Sequence, residues 1–141
     1  MSPSMTKKER EEFLADVHVG VLCVSEAAGR GPIAVPVWYI YRPGGTVDLT
    51  TGRQTRKAVA IAAVGRFSLC VQDENPPFKY VTVEGPAILV EADPAERREI
   101  ARRYLGTEAG DAYVAQSPAT DSVVIRMAPE HWSTADFGKA M

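Results

Sequence analysis

The first third of this chain alternates short apolar runs with glycine-containing turns, and this rhythm limits the fold more than any other feature. Residues 18–25 form a run rich in Val, Leu and Cys that stops before Ala-Ala-Gly-Arg-Gly at 27–31. A second run, 32–41, ends at Arg-Pro-Gly-Gly, and a third covers 46–51. Runs of this length broken by glycine are typical of antiparallel strands joined by tight turns. Pro36 lies inside the second run, which predicts an open edge or a bulge there.

The rest of the chain adds helices to this predicted meander. Thr6 and Glu9 form a capping box, which predicts a helix after Thr6. The alanine-rich segment 55–64 places Ala58, Ile61 and Ala62 on one helical face. Asp93-Pro94 predicts the start of a further helix, which stops at Gly106. A shorter helix is expected near 108–115, and further strands at 66–73, 78–90, 121–127 and 131–136. The pattern predicts a mainly β (α+β) fold: a barrel of six or seven antiparallel strands with three or four peripheral helices. Because so small a barrel is filled by its own side chains, a ligand must bind outside it or between subunits.

Composition narrows the class of protein. A chain of 141 residues with 45% hydrophobic and 24% charged residues is expected to form a single globular domain over 1–141. The net charge of −2 argues against general nucleic-acid binding. The sequence shows no apolar signal core and no apolar run of membrane-spanning length, so we expect a cytoplasmic protein without a membrane partner.

The histidines and cysteines, which often bind metals or act in catalysis, predict neither role in this chain. His18 and His131 stand apart from any zinc-like spacing of ligands, which predicts no metal site. Cys23 and Cys70 lie in apolar runs and are interpreted as reduced core thiols, where burial disfavours the reactive thiolate. We therefore assign no catalytic acid, base or nucleophile.

Two basic segments differ in their predicted roles. Around residue 55 a strand ends in Thr50-Thr51-Gly52 and a helix begins with Thr55-Arg56-Lys57, so hydroxyls and cations meet the free N–H groups of a helix start. This arrangement suits a phosphate, although a capped helix with ordinary surface cations explains it equally well. The second segment is the helix containing Arg97, Arg98, Arg102 and Arg103, which we interpret as a solvated face with salt bridges to Glu96 and Glu99.

The order of these segments resembles the pyridoxamine 5'-phosphate oxidase-like superfamily, which includes flavin/deazaflavin-dependent oxidoreductases. The resemblance covers nearly the whole chain and includes the strands 20–24 and 32–39, the Thr55-Arg56-Lys57 element, the run 66–69 and the segment 80–86. It implies a split β-barrel and a homodimer with cofactor in grooves at the subunit interface. Arg56 and Lys57 would contact the cofactor phosphate, with Thr51 and Thr55 nearby. The resemblance places Ala34, Val35, Pro36, Val37 and Trp38 along the ring system, although ordinary barrel packing explains Trp38 equally well. It places Lys79 and Tyr80 at positions that can face a cofactor from their own or the partner subunit.

The resemblance implies an oxidoreductase that transfers a hydride to or from a small organic substrate. The second strand lacks the flanking arginine and lysine of the oxidases proper, and their Arg-x-His element and C-terminal extension are also missing, which argues against vitamin B6 oxidation. FMN is favoured because its phosphate is a compact dianion, whereas the deazaflavin coenzyme F-420 has an acidic tail that needs further cations such as Arg53 or Arg30. The alternative is a non-catalytic protein that binds flavin, haem or another planar ligand, and neither histidine is placed to ligate haem.

Overall fold

A computed structural model describes residues 2–117 and 120–140 of the chain. Across these two ranges it contains four α-helices and eight strands: α1 (Lys7–Ala15), β1 (Gly20–Val24), β2 (Ile33–Val37), β3 (Ile40–Tyr41), β4 (Val47–Gly52), α2 (Arg56–Val64), β5 (Arg66–Asp73), β6 (Lys79–Glu91), α3 (Pro94–Leu105), α4 (Thr107–Gln116), β7 (Ser122–Met127) and β8 (His131–Asp136). A 3₁₀ turn, Phe137–Ala140, follows. No helix within these ranges is long and apolar enough to cross a membrane.

The strands form one curled antiparallel sheet in the order β2-β1-β5-β6-β7-β4-β3, with β8 also paired to β6. β6 changes partners along its length: residues 79–86 pair with β5 and residues 87–91 with β7. Gly85 lies at this transition, and a Cβ there would be 1.8 Å from the carbonyl oxygen of Ala128. Only glycine allows that approach, which lets the sheet curl into a split barrel.

The concave side of the curled sheet holds the core. Alternate residues of the central strands point into it, as the period of two requires, and Ile61 of α2 and Leu14 of α1 close it from outside. The expectation that the barrel is filled by its own side chains is therefore confirmed. Cys23 and Cys70 are the exception, since they lie half-buried on the opposite, convex face rather than in the core. Burial still raises the pKa of the Cys23 thiol.

The predicted mainly β fold with peripheral helices is confirmed, and the structure differs from the prediction in the second strand and in the buried face of α2. The second run divides into β2 and β3 because the backbone N–H of Tyr39 donates to Tyr104 Oη of α3 (3.1 Å) instead of continuing a strand ladder. Pro36 lies on an edge strand, as expected. On α2, Ala58 and Ile61 are buried, but Ala62 is exposed and Ala60 is buried instead.

Candidate functional site

The site is built where β4 ends and α2 begins. Thr55 caps α2: its Oγ1 accepts from the N–H of Ala58 (3.3 Å) and its hydroxyl donates to the carbonyl of Gly52 (2.9 Å). Thr51 Oγ1 lies 3.2 Å from Thr55 Oγ1. These bonds fix the helix N-terminus relative to the strand end, so both hydroxyls position the helix start. Thr55 also lines the groove beside this helix start, whereas Thr51 does not line it in the described chain.

Beside this helix start lies a groove that we call the edge cleft. Its volume is about 560 Å³, and it is lined by Arg30, Gly31, Pro32, Ile33, Ala34, Val35, Thr55, Arg56 and Lys57. Consecutive residues of β2 line it, although their side chains alternate between the two faces of the sheet. The cleft therefore follows the free edge of β2, where backbone N–H and C=O groups are exposed.

A second groove, the aromatic cleft, continues along the same strand. It measures about 300 Å³ and is lined by Val19, Pro36, Val37, Trp38, Thr50, Lys57, Arg97, Ile100, Ala101 and Tyr113. Lys57 lines both clefts, so it stands where the two grooves meet. The structure thus brings the predicted residues Ala34–Val37 of β2, the following Trp38 and the Thr55-Arg56-Lys57 element to two grooves that meet at Lys57.

The two neighbouring cations Arg56 and Lys57 differ in their electrostatic surroundings. The Arg56 guanidinium donates from Nε to Glu26 Oε2 (3.0 Å) and from a second nitrogen to the other carboxylate oxygen, and this contact holds the pKa of Glu26 below its usual value. Across residues 2–117 and 120–140, Lys57 has no carboxylate within salt-bridge distance. Burial lowers the pKa of Lys57, because its charge is partly removed from water. Lys57 is therefore the cation best prepared to gain from an anionic ligand.

Other predicted cations and site residues have different positions. Arg53 is tied to Asp121 (3.0 Å) and Glu91 (3.2 Å) and does not line the edge cleft of the described chain. Lys79 lies 4.0 Å from Asp136 in a separate groove, and Tyr80 contacts Phe137. Within one chain, Lys79 and Tyr80 are not brought to either cleft in the described ranges, so their role stays a prediction that depends on a partner subunit.

The prediction that the α3 arginines form salt bridges with Glu96 and Glu99 of the same helix is wrong. Arg102 and Arg98 instead contact Asp111 of α4 (2.7 and 3.9 Å), and Arg103 donates to the carbonyls of Ala15 and Asp16. The two glutamates pair with arginines of other elements, Glu96 with Arg126 and Glu99 with Arg42. The partners lie on other elements because α4 packs closely against α3. Gly110 permits this contact, since a Cβ there would be 2.7 Å from the backbone of Arg102.

Arg97 is the functional candidate that the sequence analysis missed. It points into the aromatic cleft together with Ile100 and Ala101, and its guanidinium carbon lies 5.6 Å from the centre of the Tyr113 ring. The signal was available, because positions 97, 100 and 101 share one helical face and two of them are apolar. That spacing indicates a face turned toward other structure, which a fully solvated interpretation overlooks.

Metal chemistry finds no support in the described part of the chain. No group of three His, Cys, Asp or Glu side chains gathers there. His18 stacks on Phe13 with ring centres 4.5 Å apart, as a packing residue does. The groups that line the two clefts are cations, hydroxyls, the N-terminus of α2 and aromatic rings.

Comparison with known proteins identifies the family. Residues 6–136 match the family model described as pyridoxamine 5'-phosphate oxidase. None of the curated protein sequences matches the chain. The match covers most of the chain, which therefore belongs to the pyridoxamine 5'-phosphate oxidase family.

Solved structures share the fold at low sequence identity. A conserved hypothetical protein from Mycobacterium tuberculosis is 24% identical with a TM-score of 0.79, covering 99% of this chain and 89% of that one. An F420 reductase is 23% identical with a TM-score of 0.69 (87% and 94% covered), and an FAD-binding protein from Mesorhizobium loti is 19% identical with a TM-score of 0.66 (92% and 94% covered). At these identities the likeness establishes the split barrel.

Proposed function

We propose that this family member is an oxidoreductase that holds FMN along the edge of β2 and transfers a hydride to or from a small organic substrate. The observation that carries the proposal is Lys57, a half-buried cation at the junction of the edge and aromatic clefts with no acidic partner in the described ranges. A charge in that position is costly unless an anion binds beside it. The phosphate of a flavin mononucleotide supplies such an anion.

The edge cleft is the proposed phosphate site. It combines the N-terminus of α2 with Arg30, Arg56 and Lys57, and N–H groups and cations together favour a phosphate monoester. Arg53, which would have helped to bind the acidic tail of F-420, does not line the edge cleft in the described chain and is held by Glu91 and Asp121 outside it. The position of Arg53 favours FMN over F-420.

The ring system is proposed to lie along β2 toward the aromatic cleft. Ala34, Val35, Pro36, Val37 and Trp38 provide a largely apolar wall, and the free strand edge offers backbone hydrogen-bonding groups. The cofactor supplies the hydride chemistry when bound. The protein's part is to bind and orient it, so no side chain is proposed as a catalytic acid, base or nucleophile.

A homodimer is part of the proposal. The convex face of β1, β2 and β5 exposes small or apolar side chains, namely those of Val21, Cys23, Ala34, Pro36 and Cys70. Tyr80 lies on the same convex face, two strands from β1. Pairing of two such faces would bury them and bring Lys79 and Tyr80 of one subunit toward the groove of its partner, where the resemblance places them.

Titration of the apo-protein with FMN and with F-420, followed by fluorescence, tests the cofactor. We expect micromolar or tighter binding of FMN and weaker binding of F-420, with both lost in the Arg56→Ala/Lys57→Ala double variant. Arg53→Ala is the matched control, because it removes a nearby cation outside the cleft. Failure of both cofactors to bind at micromolar concentration would overturn the proposal.

Catalysis and assembly need separate measurements. Stopped-flow reduction and reoxidation of the bound cofactor distinguishes an enzyme from a carrier: reduction without transfer to any acceptor would favour the non-catalytic alternative. Light scattering coupled to size exclusion is expected to give twice the mass of the chain, and a monomer that binds FMN with full affinity would contradict the interfacial site.

A further inference from the structure

The aromatic cleft has an unusual charge balance. Lys57 and Arg97 enter it from two different helices, and no acidic side chain lines it in the described chain. Neither cation has a carboxylate within salt-bridge distance among residues 2–117 and 120–140; Arg97 donates to the backbone carbonyl of Ser117. Two partly buried cations without a counter-charge produce a positive potential in a confined space. The cleft is therefore electrostatically suited to an anion.

The walls of the cleft define the shape of that anion. The Trp38 ring is stacked on Tyr104 with centres 5.0 Å apart and only 8° between the planes, and it meets Tyr113 at 5.6 Å. Arg97 in turn lies over the face of Tyr113. This stacking holds Trp38, Tyr113 and Arg97 in fixed orientations around the opening. A volume of about 300 Å³ accommodates a ligand of roughly one ring system.

The chemistry also separates this cleft from the edge cleft. The edge cleft has a helix N-terminus and backbone N–H groups, which favour a tetrahedral phosphate. Both clefts contain guanidinium groups and share the Lys57 ammonium, but in the described chain aromatic rings, those of Trp38 and Tyr113, line only the aromatic cleft, beside Arg97. A guanidinium pairs with a carboxylate through two parallel hydrogen bonds, and aromatic walls stack against a planar ring.

We propose that the aromatic cleft binds a small planar carboxylate, with Arg97 and Lys57 holding the carboxylate and Trp38 and Tyr113 contacting the ring. The binding site stands on its own geometry. Its assignment as the substrate site rests on the proposed function, because a flavin ring along β2 would reach one wall of the cleft, at Pro36 and Val37, and would face a ligand held by Arg97 and Tyr113 on the opposite wall. An aromatic or conjugated carboxylic acid is then the substrate class.

Calorimetric titration of the cofactor-free protein with benzoate tests the site, with benzamide as the neutral probe of the same shape. We expect benzoate to bind roughly tenfold or more tightly than benzamide, the usual effect of a charge-assisted hydrogen bond. Equal affinities for the two probes would overturn the proposal.

Variants of α3 assign the effect to one residue. Arg97→Ala is expected to weaken benzoate binding about tenfold or more, while Arg97→Lys retains the charge and loses less. Arg98→Ala is the matched control on the same helix, since Arg98 faces Asp111, and it should leave the affinity within about twofold. Equal losses of benzoate affinity in Arg97→Ala and Arg98→Ala would show that benzoate responds to the overall positive charge of α3, which would contradict a specific site at Arg97.

Adding saturating FMN separates this proposal from the cofactor proposal. Benzoate affinity that is unchanged or increased by FMN supports a substrate site beside the cofactor, whereas mutual exclusion would show that the cleft holds the flavin ring itself and would overturn the substrate assignment. If FMN does not bind at all, the cofactor proposal fails, and the benzoate titrations still decide whether the anion site exists.

Discussion

The two basic segments of this chain look similar in sequence and become different in the fold. At the start of α2, Arg53 and Arg56 are paired with acids from other elements, and Lys57 is left to line a cleft. On α3, Arg98 and Arg102 are paired with Asp111, and Arg97 lines the same cleft. Each segment thus contributes to the aromatic cleft one cation that has no carboxylate partner among the described residues.

The acidic partners of a basic residue, rather than the number of basic residues in a segment, decide which cations are free to bind a ligand. Arg56 and Lys57 are adjacent, yet within residues 2–117 and 120–140 only Arg56 contacts a carboxylate, because the loop after β1 brings Glu26 to it. A local cluster of positive charge is therefore a weak guide until the acids brought near it by the fold are known.

The largest effect is expected from Lys57→Met, because Lys57 belongs to both clefts. Loss of its charge should weaken FMN and benzoate binding by roughly 10- to 100-fold each. Arg53→Ala, measured by the same calorimetric titrations, should leave both affinities within about twofold. If the variant lost affinity for one ligand and kept its affinity for the other, Lys57 would contribute to only one of the two clefts, which would contradict its shared role.

Gly110→Ala is expected to disturb the α3 side of the aromatic cleft without touching the start of α2. The added methyl group would meet the Arg102 backbone at 2.7 Å, so α4 and its Tyr113 must move. Overpacking of this kind should lower the free energy of unfolding by about 1–3 kcal/mol. Benzoate affinity should fall about fivefold or more, because the contact with the Tyr113 ring is weakened. FMN affinity should stay within about twofold, because the edge cleft does not include α4. The exposed Ala109→Ser is the control for denaturant melting, and equal loss of both ligands would show global rather than local damage.

Glu26→Gln addresses the difference between Arg56 and Lys57. Removal of the carboxylate releases Arg56 toward the edge cleft, and FMN affinity should increase about twofold to fivefold, as expected for an exposed ion pair. Benzoate affinity should not change. Glu99→Gln, which frees Arg42 on another surface, is the control. A decrease in FMN affinity would mean that Glu26 holds Arg56 in its binding orientation instead of competing with the ligand.

The smallest effect concerns pH. Burial lowers the pKa of Lys57 from the ordinary lysine value of 10.5, so benzoate affinity should fall with rising pH earlier than an unperturbed lysine predicts. Between the lowered pKa of Lys57 in the folded protein and the ordinary lysine pKa of 10.5, the unfolded chain keeps the Lys57 proton that the folded chain has lost. The contribution of Lys57 to the free energy of unfolding therefore increases as pH rises through this range. Titrations from neutral to alkaline pH check this, and Lys57→Arg should abolish the fall. A profile that is flat in the parent protein would contradict a role for Lys57 in the aromatic cleft.

Much of the fold follows from local patterns. The capping box at Thr6, the N-cap at Thr55 and the start and stop of α3 at Asp93 and Gly106 depend on neighbouring residues, and all four are confirmed. The division of the second run into β2 and β3 could not be predicted, because Tyr104, distant in sequence, bonds the backbone of Tyr39.

The candidate site was predictable to a similar degree. The meeting of the Thr55-Arg56-Lys57 element with β2 follows from the family's order of motifs. The aromatic cleft requires the packing of α3 and α4 against the strand edge, and neither the contact at Gly110 nor the Asp111 pairing is encoded in a local motif. From the sequence alone, Arg97 is therefore indistinguishable from its neighbouring arginines on α3.

The measurement that tests the cofactor site most directly compares FMN with riboflavin, which differ only by the phosphate. We predict that FMN binds the parent protein at least tenfold more tightly than riboflavin, and that the difference disappears in Arg56→Ala/Lys57→Ala, because charge-assisted bonds to the phosphate are lost. Equal binding of FMN and riboflavin by the parent protein, or a preference for FMN that survives in the double variant, would contradict a phosphate site at the start of α2.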